Sequence, residues 1–137
     1  MDVPEDAGNP VIAEAQQLAD EKRLEGNRHF ADGDYPGAIE LYTRAIQLIR
    51  NAVEAHAGAM NGSGEGSTAS LYAQTNIHQL YTNRALCHAR MENYGLTVLD
   101  ADIAIQMQPG YSKAYYRRGC AYLCLMKFKE AEKGEII

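Results

Sequence analysis

The sequence predicts an all-α fold made of repeated helix pairs, and three observations support this. Only four of the 137 residues are proline, and apolar residues do not alternate as they do in strands. Apolar residues instead recur at intervals of three and four, which places them on one face of an amphipathic helix. Similar residues also recur 34 positions apart, as Tyr94 and Phe128 or Ala85 and Gly119 do, which indicates a helix–turn–helix repeat.

The first repeat covers about residues 19–52. Gly33 and Asp34 mark the turn before its second helix. The acidic stretch 1–12 has no apolar run behind it, so we expect a disordered tail and no signal peptide; the folded domain is expected over 13–137. The apolar face of the second helix comprises Tyr35, Ala38, Ile39, Tyr42, Ala45 and Ile46.

An insertion at about 53–77 separates the first two repeats. The spacing from Tyr35 to Tyr94 is 59, which exceeds the 34-residue period by 25. The segment NGSGEGS at 61–67 has the composition of a flexible linker, and its flanks have helical patterns. We expect a mobile loop that joins two lengthened helices; a dedicated partner-binding loop is the alternative.

The second repeat covers about residues 78–111, and the third begins at 112 and is incomplete. Phe128 is expected to begin the second helix of the third repeat, for about five and a half helices in all. A solenoid needs a terminal cap with a polar outer face. Because none follows the third repeat, we interpret the chain as a fragment of a longer protein. We expect its uncovered apolar edge to favour domain swapping or dimerisation.

The repeat resembles the tetratricopeptide-repeat (TPR) family over about residues 19–137. The resemblance depends on the 34-residue period and on small and aromatic residues at family positions, such as Gly26, Ala38 and Tyr42. It implies a right-handed superhelix of antiparallel helix pairs, with the third repeat truncated. It also implies that the first helix of each pair lines a concave groove.

Five polar residues on these first helices are expected to face the groove together, because residues three or four apart share a helix face. They are cations and amide donors, and we expect no carboxylate among them. In the basic stretch 111–119, Tyr116 and Arg118 are expected off this face, while Tyr115, Gly119 and, just beyond the stretch, Tyr122 are expected to pack between helices. The five groove residues are Arg23, Asn27, Asn83, Lys113 and Arg117.

This set resembles the two-carboxylate clamp of TPR co-chaperones, whose pattern is Lys-x-x-x-Asn, Asn and Lys-x-x-x-Arg. Arg23 stands where the family has lysine, and the other four residues match. The resemblance implies a module that binds the C-terminal Glu-Glu-Val-Asp tails of ninety- and seventy-kilodalton heat-shock chaperones and recruits its parent protein to them. Phe30 is expected to wall a pocket for the valine, and Arg90 to meet an upstream glutamate. A generic scaffold for an internal peptide is an alternative.

The stretch YGLTVLDADIAIQMQPGYSKAYYRRG (residues 94–119) resembles chaperone-associated serine/threonine phosphatases of type five. In that family the repeats also fold over the phosphatase site and inhibit it, so an autoinhibitory regulatory domain is a further alternative. The metallophosphatase signatures Gly-Asp-x-His, Gly-Asp-x-x-Asp-Arg-Gly and Gly-Asn-His-Glu are absent from the sequence. We therefore do not expect this chain itself to be an enzyme.

Composition excludes several other classes of function. With 13 Lys+Arg against 18 Asp+Glu, the net charge is −5, which argues against a nucleic-acid binder. No apolar stretch is long enough to span a membrane. The three cysteines, Cys87, Cys120 and Cys124, lie at packing positions, so we expect buried thiols rather than a metal site. We expect no metal or cofactor, and a cytoplasmic location, with the nucleus also compatible.

Overall fold

The computed structural model describes residues 9–59 and 67–134, which form six α-helices and no strand. The predicted all-α class is therefore confirmed. None of the helices in these two ranges is both long and apolar enough to cross a lipid bilayer. The helices are α1 (Pro10–Ala31), α2 (Tyr35–Ala59), α3 (Ser67–Ala73), α4 (Ile77–Arg90), α5 (Tyr94–Met107) and α6 (Ser112–Glu132).

A side-chain cap starts α1. The Asn9 carboxamide oxygen accepts hydrogen bonds from the backbone N–H groups of Val11 at 2.8 Å and Ile12 at 3.2 Å, and Pro10 occupies the first turn, where its missing N–H costs nothing. Ile12 is 2% exposed and belongs to the core. The helix thus begins inside the stretch 1–12 that we expected to be disordered; residues 1–8 lie outside the described ranges.

A residue with positive φ lies in the turn of each of the first two helix pairs. Gly33 has φ +78° between α1 and α2, and Glu92 has φ 62° between α4 and α5. This left-handed conformation ends the first helix of the pair and lets the chain reverse. Asp34 then accepts a hydrogen bond from the Gly37 N–H at 3.0 Å, which caps the start of α2.

The third turn does not form, and α6 continues through Phe128 to Glu132. Met126 stands where Gly33 and Glu92 stand in the first two repeats. Methionine favours the helix interior and has no preference for the left-handed conformation, so nothing interrupts the helix there. The expected second helix of the third repeat is wrong within the described residues, and the structure has six helices because the insertion contributes α3.

Small residues lie where the helices cross. α1 packs on α2, α4 packs on both α2 and α5, and α6 packs on α5 and α4. Alanine at these crossings lets two helix backbones approach closely, and larger side chains fill the spaces between pairs. The fully buried alanines are Ala19, Ala38, Ala45, Ala85, Ala101, Ala104 and Ala114, and the larger core residues include Ile49, Ile77 and Leu80.

The insertion is anchored to the core on both of its sides. α2 extends past the first repeat with Val53 fully buried, and α3 places Leu71 in the same core cluster. The Arg50 guanidinium of α2 lies 5.8 Å from the ring centroid of Tyr72 on α3, close enough for a cation–π contact. Both flanks are therefore helical, but α3 ends at Ala73 and α4 begins at Ile77, so the expected lengthening is confirmed for α2 and wrong for α4. The predicted flexible segment lies almost entirely in 60–66, outside the described ranges.

Candidate functional site

A groove of about 520 Å3 lies between α4 and α6, the first helices of the second and third repeats. Three of the five predicted groove residues line it: Asn83 on α4, and Lys113 and Arg117 on α6. Lys113 and Arg117 are one helical turn apart and share a face of α6. The remaining lining residues are Thr82, Leu86, Ser112 and Tyr116.

Arg117 has an unsatisfied donor at this groove. Its Nε atom is buried and has no hydrogen-bond partner among the described residues, and its guanidinium lies 5.6 Å from the Tyr116 ring centroid. A buried donor without a partner costs about 1–3 kcal/mol. The guanidinium that contains this enclosed nitrogen carries a permanent positive charge, so an anionic group that entered the groove would lie beside that charge.

Tyr116 lines the groove, although we expected it off the groove face. It is three residues from Lys113, so the two side chains lie on neighbouring positions of α6, and Arg117 covers its ring. The side chain is exposed (66 %). The groove face of α6 is thus wider than the stripe of Lys113 and Arg117, and it offers aromatic surface beside the two cations.

Two neutral rings lie close to the cationic wall of the groove, which is formed by Lys113 and Arg117. His78 and Tyr111 meet edge to face, with ring centroids 4.7 Å apart. Burial lowers the pKa of His78, and burial raises the pKa of Tyr111, with the Arg117 charge acting in the opposite direction. Both rings are therefore uncharged near neutral pH, and the charge of this wall comes from Lys113 and Arg117.

Arg23, one of the two predicted residues on α1, lies outside the lining of the groove and already has an anionic partner. Its Nε lies 3.4 Å from Oδ1 of Asp20, and the same oxygen accepts hydrogen bonds from Gln16 at 3.0 Å and Asn76 at 3.1 Å. The expectation that no carboxylate accompanies the five predicted residues is therefore wrong for Arg23, whereas the groove lining formed by the described residues contains no carboxylate. Asp20 is three residues before Arg23, so helical spacing alone places it on the same face.

Asn27, the other predicted residue on α1, also lies outside the lining of the groove and is engaged from its core side. The Tyr42 hydroxyl donates to Oδ1 of Asn27 at 2.5 Å, and Tyr42 is 2% exposed. Gly26 makes this approach possible, because a Cβ there would lie 2.8 Å from the Tyr42 ring. Asn27 itself is exposed, so its amide group reaches solvent.

Phe30 and Arg90, the two secondary candidates, are brought together. The Arg90 guanidinium of α4 lies 5.7 Å from the Phe30 ring centroid of α1, and Tyr35 packs edge-on against the same ring at 5.3 Å. The two residues thus form one aromatic–cationic contact across the two repeats. Their predicted roles toward a peptide valine and glutamate remain predictions.

The rest of the basic stretch on α6 faces α5 or solvent. Arg118 donates to Asp102 of α5 at 2.9 Å, which places it off the groove face, as expected. Tyr115 donates its hydroxyl proton to the Pro109 carbonyl at 2.8 Å. Tyr115 (42% exposed), Tyr122 (50% exposed) and the exposed Gly119 are not buried between helices, so the predicted packing role of all three is wrong within the described helices.

A buried ion pair behind the groove was not predicted from the sequence. Asp100 of α5 is 2% exposed and accepts two hydrogen bonds from Arg84 of α4, at 2.8 and 2.7 Å. Arg84 also donates to Thr43 of α2 at 3.1 Å. Nε2 of His88 lies 3.6 Å from Asp100. This cluster joins three helices next to Asn83, and the bond to Asp100 raises the pKa of Arg84.

The cysteines differ from one another. Cys87 is buried, and burial raises the pKa of its thiol to about 12. Cys124 is partly exposed, and Cys120 is exposed, so the predicted burial is wrong for Cys120. All three are free thiols.

Comparison with known proteins finds relatives that align with most of this chain. No protein-family model matches the chain. The heat shock protein STI1 of Saccharomyces cerevisiae is 32% identical over 85% of this chain. Human serine/threonine-protein phosphatase 5 is 32% identical over 89% of it. The chain spans only 16% and 19% of the lengths of these two relatives.

Two solved structures resemble the fold. The second TPR of Spaghetti (RPAP3), bound to the HSP90 peptide SRMEEVD, is 31% identical, with a TM-score of 0.59, and the match covers 90% of this chain and 84% of that one. The first TPR of the same protein, bound to the same peptide, is 28% identical with a TM-score of 0.61. That match covers 86% of this chain and 76% of the other.

Proposed function

Because this chain belongs to the tetratricopeptide-repeat family, we propose that it is a peptide-binding module for the acidic C-terminal tail of a heat-shock chaperone. The peptide would end in Glu-Glu-Val-Asp, and the module would recruit its parent protein to the chaperone. The observation that carries the proposal is the groove that Lys113, Arg117 and Asn83 line together, with two cations and an amide on its walls.

The chemistry of the groove suits a chain-terminal aspartate. Such a residue offers two carboxylates, and each accepts several charge-assisted hydrogen bonds. Lys113 and Arg117 supply the charge, and Asn83 supplies amide donors without adding repulsion between cations. Each bond to a charged group contributes about 1.5–3 kcal/mol. After the cost of ordering a flexible peptide, we expect binding in the micromolar range, about −7 to −8 kcal/mol.

The solved relatives support the choice of ligand. Both are TPR units bound to a peptide with the sequence SRMEEVD, which has the acidic end that the groove of this chain suits. Arg23 and Asn27 on α1 would complete the contact in our proposal, with Arg23 exchanging its Asp20 partner for a peptide carboxylate. The three free thiols fit a reducing, cytoplasmic setting.

Calorimetric titration with a pentapeptide that ends in Glu-Glu-Val-Asp tests this proposal, run beside the same peptide with an amidated C-terminus. We expect micromolar binding of the free acid and its loss on amidation. Lys113→Ala and Arg117→Ala should each weaken binding by about 10- to 100-fold, since each removes a charged hydrogen bond. No binding by the free acid would overturn the proposal.

Arg118→Ala is the matched control. Arg118 is adjacent to Arg117 on α6 and carries the same charge, but it donates to Asp102 of α5 rather than lining the groove. We expect its substitution to change the peptide affinity less than twofold, because exposed ion pairs contribute little. If Arg118→Ala weakened binding as much as Arg117→Ala, net charge and not the groove geometry would explain both results.

A second candidate function is regulation of a phosphatase domain, favoured by the similarity to human serine/threonine-protein phosphatase 5. In this alternative, the module would cover a phosphatase active site in its parent protein, and a chaperone tail would release it. Adding the chain to the isolated catalytic domain of that relative would inhibit it, and the free-acid peptide would restore activity. Unchanged activity at saturating chain would contradict this alternative.

A general scaffold for internal peptides predicts a different titration result. Its binding would not depend on a free terminal carboxylate, so the acid and the amide would bind equally well. Equal binding would exclude the two-carboxylate clamp while leaving the groove as a peptide site. The two peptides therefore separate the clamp from the scaffold in one experiment.

A further inference from the structure

We propose that Tyr42 is a positioning residue for peptide recognition: its hydroxyl fixes the carboxamide of Asn27 so that both amide N–H donors point away from the core. This inference rests on the proposed function, because the donors are oriented for a ligand carboxylate. Tyr42 itself lies beneath α1 and needs no contact with the ligand.

The amide of Asn27 has its carbonyl oxygen on the Tyr42 side. The Tyr42 hydroxyl lies 2.5 Å from Oδ1 of Asn27, and the phenol is enclosed by the α1–α2 interface, with its ring against the backbone at Gly26. A phenolic hydroxyl that donates to the carbonyl oxygen holds that oxygen inward. The NH2 group, with two donors and no acceptor, is then left on the exposed side.

The orientation of the Asn27 amide matters because one end of an amide donates hydrogen bonds and the other end accepts them. The NH2 end attracts a carboxylate, and the carbonyl end repels it. An unrestrained exposed side chain populates both rotamers of its broad terminal torsion. Burial raises the pKa of Tyr42 to about 12, so the phenol remains a protonated donor at any physiological pH.

The repeats themselves provide an internal comparison. With the 59-residue offset between the first two repeats, Asn27 corresponds to Leu86 and Tyr42 corresponds to Ala101. The second repeat therefore lacks both members of the pair. At this repeat position, where Leu86 replaces the amide, the hydroxyl is absent too, although the position equivalent to Tyr42 remains buried, as Ala101 is.

A double-mutant cycle on the full chain tests the inference with the free-acid pentapeptide. Tyr42→Phe keeps the buried ring and removes only the hydroxyl, and we expect it to weaken binding by about three- to tenfold, the effect of one hydrogen bond. In the Asn27→Ala background, the same change should have no further effect. Tyr42→Phe that binds like the wild type, or that weakens binding equally in both backgrounds, would overturn the inference.

Tyr81→Phe is the matched control. Tyr81 is 3% exposed, and its hydroxyl accepts a hydrogen bond from Arg50 at 2.6 Å, away from the lining of the groove. The same atom is thus removed from the same core, and peptide affinity should be unchanged. An equal loss in both variants would indicate a general loss of core order and would contradict a specific role for Tyr42.

NMR of the Asn27 side chain separates a failure of this inference from a failure of the proposed function. Its carboxamide signals, identified by their loss in Asn27→Ala, should shift in Tyr42→Phe and stay in place in Tyr81→Phe, with no ligand present. Signals that do not move would overturn the inference even if the peptide binds. Signals that move while the wild type fails to bind the peptide would overturn only the proposed function.

Discussion

Arg23 and Arg117 are two arginines of the predicted peptide-binding set, and their surroundings differ. Arg117 has a buried Nε without a partner among the described residues, whereas Nε of Arg23 lies 3.4 Å from Asp20. Asp20 also binds Gln16 and Asn76, so it is held in place by more than the arginine. A peptide carboxylate would therefore have to compete for Arg23 but not for Arg117.

Asp20→Asn tests this competition. The amide oxygen can keep the hydrogen bonds from Gln16 and Asn76, while the negative charge beside Arg23 is removed. We expect peptide affinity to rise by about two- to fivefold, since a partly exposed ion pair contributes up to about 1 kcal/mol. Titration calorimetry at constant ionic strength measures the peptide affinity of the variant and of the wild type. Glu21→Gln changes the net charge equally one residue away, and an equal gain there would contradict a local effect.

One position of the repeat shows that the same residue type can have different roles in helix packing. Gly26, Ala85 and Gly119 are equivalent in the three repeats. A Cβ at Gly26 would lie 2.8 Å from the Tyr42 ring, whereas a Cβ at Gly119 would meet nothing within 4 Å. The same residue type thus permits a close helix approach in α1 and faces open space in α6.

Gly26→Ala and Gly119→Ala should therefore have opposite effects on stability. Overpacking at Gly26 should lower the free energy of unfolding by about 1–3 kcal/mol. Alanine at Gly119 should raise it by up to about 1 kcal/mol, through helix propensity alone. Urea unfolding followed by circular dichroism measures both. Destabilisation by Gly119→Ala would show that α6 is covered on that face in solution.

The ion pair between α4 and α5 gives a second test at this scale. Removing the carboxylate with Asp100→Ala leaves Arg84, whose side chain is 20% exposed, without its anionic partner. Breaking a buried pair in this way costs about 3–5 kcal/mol. Arg44→Ala, which breaks the exposed pair with Glu40, should cost less than about 1 kcal/mol. Similar losses in both variants would contradict the structural role of Asp100.

The helices could be predicted where a turn residue and an apolar period agree, as at Gly33 before α2. The prediction of a turn before Phe128 is wrong, because apolar spacing continues across Met126 and does not reveal whether the backbone reverses. Asn83, Lys113 and Arg117 could be predicted as neighbours from the repeat register. Arg84 and Asp100 could not, because they are 16 residues apart and a charged residue on a helix is usually exposed. Only the packing of three helices encloses them.

Two partly buried histidines, His78 on α4 and His88 on the same helix, link folding of the protein to pH. Burial lowers the pKa of His78 and of His88; for His88, Asp100 opposes this effect and Arg84 reinforces it. The unfolded chain therefore binds these protons at a higher pH than the folded chain does. Their contribution to stability is complete above the unfolded pKa of about 6.5 and is lost as the pH falls below it.

We expect the free energy of unfolding to decrease between pH 7.5 and pH 5.5, measured by urea titration at each pH. His88→Gln should flatten this dependence, because it removes one of the two groups that the folded state keeps neutral. An unchanged slope in His88→Gln would contradict the contribution of His88. A free energy of unfolding that rises as the pH falls in this range would contradict the lowered pKa of both histidines.

The unpartnered Nε of Arg117 has a consequence for the balance between stability and function. A buried donor that has no acceptor among the described residues makes the free protein less stable than a nonpolar side chain of similar shape would. Arg117→Met should therefore raise the melting temperature of the free protein while it weakens peptide binding by about 10- to 100-fold. Selection for thermal resistance alone would remove this arginine, so its retention would depend on a ligand.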